Sequence, residues 1–135
     1  MTTTINAVSG TGLTQTSDGS GIVKLQSNGV ATNALVWVNF GYISSAITIR
    51  SSYNVSSVTR NGTGDYTINF TNALPDTNYG FSGYTSSPGS ASSSFLLNGT
   101  YTAKLTTTIG LQVGYAYSSG YALYNFAEQG LVFYG

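Results

Sequence analysis

The stretch LTTTIGLQVGYAY, residues 105–117, decides the fold class of the chain. Leu105, Thr107, Ile109, Leu111, Val113, Tyr115 and Tyr117 share one parity, and Thr106, Thr108, Gly110, Gln112, Gly114 and Ala116 share the other. Successive side chains of a strand point to opposite faces, so this alternation predicts a long strand with one apolar face. Gly110 and Gly114 are expected to mark bulges or bends in it.

Two earlier stretches repeat the pattern. Leu35, Trp37 and Asn39 oppose Val36, Val38 and Phe40, which is apolar on both faces and predicts a central strand with Trp37 in the core. Tyr66, Ile68 and Phe70 alternate with Thr67, Asn69 and Thr71, which predicts one buried and one wet face. Turn chemistry falls between and around these runs, at Asn61-Gly62, Leu74-Pro75-Asp76, Ser86 to Ser90, Asn98-Gly99-Thr100 and Ser118-Ser119-Gly120. No sustained helical period occurs. The reading is all-β, an antiparallel β-sandwich or jelly roll.

Residues 1–33 differ in kind, being rich in Thr, Ser and Gly with little to bury. They read as an extended N-terminal arm or neck with one or two short strands, ahead of a β-domain spanning residues 34–135. Residues 2–8 (TTTINAV) suit pairing with a neighbouring protein's sheet, because main-chain pairing needs few charged contacts. No basic start followed by an apolar run appears in residues 1–20, so export by a secretory leader is not expected and release by cell lysis is.

Composition narrows the chemistry. The chain carries four basic and four acidic residues, no His and no Cys, at zero net charge. Neutral charge argues against nucleic acid and against an anionic membrane, both of which are held by clustered Lys and Arg. The longest apolar run, Ala34 to Val38, is far short of a bilayer span, so no membrane insertion is expected. Without His or Cys there is no Ser-His-Asp triad and no thiol nucleophile. Paired carboxylates would have to come from Asp18, Asp65, Asp76 and Glu128. Asp65 and Asp76 sit in turn sequences and Asp18 in the arm, while Glu128 alone lacks an obvious structural task. The expectation is a binding protein, not an enzyme, with no cofactor and no metal site.

The stretch Leu35 to Tyr84 contains WVNF, YNVSSVT, NGTGDYTINF and ALPD in that order. In this succession it resembles the C-terminal domains of tailed-bacteriophage tail fibres, and residues 12–27 are similar to the connecting region that precedes such domains. The resemblance covers residues 10–84; no motif is recognised from Thr85 to Gly135. It implies a virion appendage, assembled in the host cytoplasm as a homotrimer, joined to other virion proteins through the arm, and contacting a host-surface glycan or outer-membrane component. Scarce charge agrees with self-association, since charges are the usual defence against edge pairing. The second face of residues 35–40 and the apolar parity of residues 105–117 are the candidate trimer faces, the alternative being that both line one sandwich core. An alternative role is a structural head or tail decoration protein without a receptor, and a third is a free, monomeric carbohydrate-binding module.

Sugar sites stack a pyranose on an aromatic face and fix its hydroxyls with amides and carboxylates. With eleven Tyr in the chain, the loop-flanking Tyr84, Tyr117 and Tyr121, with Tyr101 behind them, are the candidate ligand contacts, the alternative being that these rings fill the core or a trimer contact with their hydroxyls toward solvent.

Overall fold

The computed structural model describes residues 25–27, 30–31, 33–86, 94–99 and 104–135, with side chains described at 25, 33–86 and 104–135. Every regular element among them is a strand: β1 (Gln26–Ser27), β2 (Val30–Ala31), β3 (Ala34–Ile43), β4 (Ala46–Tyr53), β5 (Val55–Gly62), β6 (Asp65–Phe70), β7 (Gly80–Thr85), β8 (Ser94–Gly99), β9 (Thr108–Tyr117), β10 (Gly120–Leu123) and β11 (Gln129–Tyr134). All pairings are antiparallel. β4, β3, β11 and β7 form one sheet in that order. The other is built on β9, whose residues 111–112 pair with β6 and β8 at once and whose residues 114–116 pair with β8 and β10 at once. β6 and β10 therefore share one side of β9 and β8 takes the other, while β5 closes the edge beyond β6. β1 and β2 form a small hairpin of their own within the arm; residues 1–24, Tyr101 and the expected turn at 87–90 lie outside the described residues.

The two sheets bury one core between them, as the sequence predicts for a β-sandwich. Val36, Val38 and Phe40 from β3 and Leu131 and Phe133 from β11 meet Tyr66, Ile68 and Phe70 from β6 and Ile109, Leu111 and Val113 from β9. Edge-to-face ring pairs knit the layers, Phe40 on Tyr66 at 5.3 Å and Phe70 on Phe133 at 5.5 Å between centroids. Such pairs add about 0.5–1.5 kcal/mol each beyond area burial. Ile109, Leu111 and Val113 of the β9 parity thus line the sandwich interior, the alternative reading of that face, while Tyr115 is half-buried and Tyr117 exposed at its end. Leu105 and Thr107 precede the strand, and Leu105 is exposed. Gly110 and Gly114 make no bulge; at Gly114 a Cβ would strike the Ala122 carbonyl, so this glycine lets β10 approach closely.

Bulges lie elsewhere, and they re-aim side chains. Val36 pairs with Phe133 and Ala34 with Tyr134, which leaves Leu35 as the extra residue, turned into the core at 1% exposure. Asn39 pairs with Ser51 and Phe40 with Ile49, which leaves Arg50 as the extra residue of β4.

The turns correct the sequence reading in detail. The β5–β6 hairpin forms where NGTGD predicts one, but its two-residue turn is Thr63-Gly64, with Gly62 paired to Asp65 and Gly64 alone at positive φ. Asn98-Gly99 is no turn at all, since both residues belong to β8 and pair with Gln112 and Leu111 of β9. Asp76 behaves as expected, its Oδ1 accepting the Asn78 N–H at 2.7 Å. The β3–β4 hairpin turns on Ser44 and Ser45 at φ 50° and 65°, a conformation serine adopts reluctantly. Replacing this pair by Asn-Gly is expected to raise unfolding free energy by about 1 kcal/mol in urea titration, because both new residues tolerate positive φ.

Candidate functional site

On the outer face of the four-stranded sheet, register sets two rows of side chains. One runs Tyr53, Trp37, Val132, Ser82 and the next Ser51, Asn39, Gly130, Tyr84, across β4, β3, β11 and β7. Gly130 carries no side chain, so the Tyr84 ring lies over its Cα and a Cβ there would collide with the ring. Between Trp37 and Tyr84 an open groove of about 500 Å³ runs over Ser82, Gly130 and Val132. That volume falls within the range of about 300–1,000 Å³ usual for small-molecule sites.

A polar relay borders the groove. Arg50 donates from Nη1 to Asn39 Oδ1 (3.3 Å) and from Nη2 to the Ala127 carbonyl (2.7 Å). Asn39 in turn donates from Nδ2 to the Tyr84 hydroxyl (3.0 Å) and to Glu128 Oε1 (3.3 Å). The Tyr84 hydroxyl donates to the same Oε1 at 2.8 Å. The bulge at Arg50 is what lets this guanidinium reach the outer face beside Asn39.

Glu128 is placed by the segment that carries it. Tyr124 N–H bonds the Val113 carbonyl, the Phe126 carbonyl accepts from Tyr42 N–H, and the Glu128 carbonyl accepts from Ser86 N–H. Between them Asn125 Oδ1 accepts from Gly64 N–H (2.9 Å), Tyr66 Oη (2.9 Å) and Arg60 Nε (3.4 Å). Phe126 is fully buried, and Gly41 makes room for the segment because a Cβ there would strike the Ala127 carbonyl. A chain held at five successive residues keeps its carboxylate in a fixed position.

The relay also sets protonation. The Tyr84 hydroxyl, then the Asn39 amide and Arg50, hold the Glu128 carboxyl below the ordinary carboxylate range, against a small opposing effect of desolvation. Conversely the bond to Glu128, with some burial, pushes the Tyr84 phenol up. Glu128 therefore keeps its charge and its bonds at neutral pH. The contribution of the relay is full above the ordinary carboxylate pKa and fades as pH falls through the depressed value of Glu128.

Of the expected contact residues, the three that are described, Tyr84, Tyr117 and Tyr121, are not brought together. Tyr84 stands on the four-stranded sheet, half exposed at 52%. Tyr117 and Tyr121 stand on the β9–β10 hairpin, at 51% and 63% exposure. Tyr121 pairs with Ala116 and Gly120 with Tyr117, so the two tyrosines point to opposite faces of that hairpin. Tyr117 ends a ring series through Tyr115 (6.1 Å), Tyr124 (5.9 Å) and Phe126 (5.1 Å) that leads into the core. Trp37, expected in the core, is instead a half-buried wall of the groove, and the outer parity it shares with Asn39 explains why. Asn39, Arg50 and Glu128 were not singled out as ligand contacts from sequence, although an Asn two residues from Trp37 on one strand already marks a wet face.

Among the described residues no other acid stands free for chemistry: Asp65 accepts from Asn61 and Gln112, and Asp76 holds its own turn. Among the described residues no group of three or more Asp and Glu side chains is placed to hold a metal ion. Comparison with protein-family models, curated proteins and solved structures returns no match to this chain.

Proposed function

We propose that this chain is the host-contacting domain of a tailed-phage appendage, acting as a trimer on the virion, and that it binds a host-surface glycan in the groove between Trp37 and Tyr84. The observation that carries the reading is the pairing of an aromatic-walled groove with a fixed amide and carboxylate at its border. Aromatic faces accept the C–H side of a pyranose, and a carboxylate and amides accept and donate to its hydroxyls. The order of motifs in residues 35–84 supports the phage assignment. Binding over catalysis is supported by the groove, since among the described residues Glu128 is the one carboxylate at its border and glycoside hydrolysis ordinarily needs a pair about 5–9.5 Å apart.

The test is binding of the purified protein to an array of bacterial surface polysaccharides, with Trp37→Ala beside it. Binding by the parent chain and a loss of at least about tenfold on Trp37→Ala, at unchanged melting temperature, is the expected result. Equal binding by the two proteins would remove the groove from the account. The trimer is checked separately by light scattering, where a stable monomer at physiological salt would contradict it.

A further inference from the structure

We infer that the groove selects an uncharged hexopyranose, gripped through hydroxyl donors on Glu128, and discriminates against sugars that carry a carboxylate. The inference rests on the glycan reading above and adds to it the class of sugar.

The argument is one of donors, acceptors and charge. Every basic side chain among the described residues is engaged. Arg50 bonds Asn39 and Ala127, while Arg60 bonds Asn125 and Thr63 and lies over the Tyr42 ring at 4.7 Å. Lys104 donates to the Tyr79 carbonyl at 2.8 Å. A sialic or uronic acid gains its affinity from a cation or from a cluster of free N–H donors, and the groove walls Trp37, Ser82, Tyr84 and Val132 offer no cation.

Glu128 is the opposite case. Both bonds it receives end on Oε1, and Oε2 has no partner among the described residues. The carboxylate is held ionised by its neighbours, so Oε2 accepts and cannot donate. A ligand that completes it must bring donors, and adjacent sugar hydroxyls do so. A carboxylate on the ligand would bring like charge instead, and like charges at close range oppose binding. Trp37 and the Tyr84 ring, which covers Gly130, supply the apolar surface for the sugar ring.

Calorimetric titration of the full chain with neutral glucose-, galactose- and mannose-containing oligosaccharides, and with matched uronic acid and sialylated ones, tests this. Expected is binding of at least one neutral sugar, at least about tenfold tighter than any acidic counterpart. Glu128→Gln should weaken the neutral sugar about tenfold and narrow the gap to the acidic one, since it removes the repelling charge while keeping an acceptor oxygen. Tighter binding of an acidic sugar, lost on Trp37→Ala and unaffected by Glu128→Gln, would overturn the inference and leave the glycan site standing. Binding of no sugar in either class would overturn both.

Discussion

Gly64→Ala is expected to lower the melting temperature by about 10 °C, corresponding to about 3 kcal/mol for a domain of this size. Two costs add. Gly64 has φ +63°, where an alanine pays about 1–2 kcal/mol relative to its preferred backbone. A Cβ at Gly64 would also strike the Val113 carbonyl and approach the Tyr124 N–H at 2.7 Å, and backbone atoms cannot yield as a side-chain tip can. Overpacking of that kind costs about 1–3 kcal/mol. The same spot carries the Gly64 N–H to Asn125 bond and the Val113 N–H to Gly64 carbonyl bond, so displacement loosens the segment that holds Glu128. Differential scanning calorimetry reads the result, and a fall of less than about 3 °C would contradict the packing described at this turn.

Gln129→Met is expected to act in the opposite direction, raising unfolding free energy by about 1–3 kcal/mol. Gln129 sits at 1% exposure on the inner face of β11, and neither amide atom has a hydrogen-bond partner. Its cross-strand neighbour Thr85 likewise leaves Oγ1 buried and unpartnered. The Tyr66 hydroxyl donates to Asn125; burial raises its pKa, and a loose hydrogen bond from Gln129, too poor in geometry to satisfy the amide, offsets part of that rise. An unsatisfied buried amide is costly, and a methionine of similar length and shape removes the cost without opening a cavity. Urea titration measures the change. A loss of stability of similar size would mean that the amide is hydrogen-bonded in solution, for example through a buried water.

How far the sequence foretells this molecule depends on which physical rule governs each part. Two of the alternating stretches are legible because sheet faces are set by a period of two, and their buried members, Tyr66, Ile68 and Phe70 and Ile109, Leu111 and Val113, fall on the parity the alternation selects. Bulges are not legible, because the extra residue at Arg50 or Leu35 looks like any other and only the partner strand reveals it. The Ser44-Ser45 turn carries no Gly or Asn to announce it, whereas Asn61-Gly62 announces a turn that falls two residues later. The site suffers most. Tyr84 was visible as an aromatic near a turn, but its partners Asn39, Arg50 and Glu128 come from distant parts of the chain and meet only through sheet order. Trp37 was misread because a run that is apolar on both parities does not say which face is covered, and on this sheet the outer face is not.

Trp37 is the only tryptophan in the chain, so its fluorescence reports on the groove and on nothing else. Emission during titration with the oligosaccharide that binds best by calorimetry is therefore the most direct measurement. The account predicts a saturable change in Trp37 emission with the same midpoint as the calorimetric isotherm. Calorimetric binding that leaves the emission unchanged would place the ligand elsewhere, with the Tyr117 and Tyr121 hairpin as the next site to probe, and would contradict the groove as the binding site.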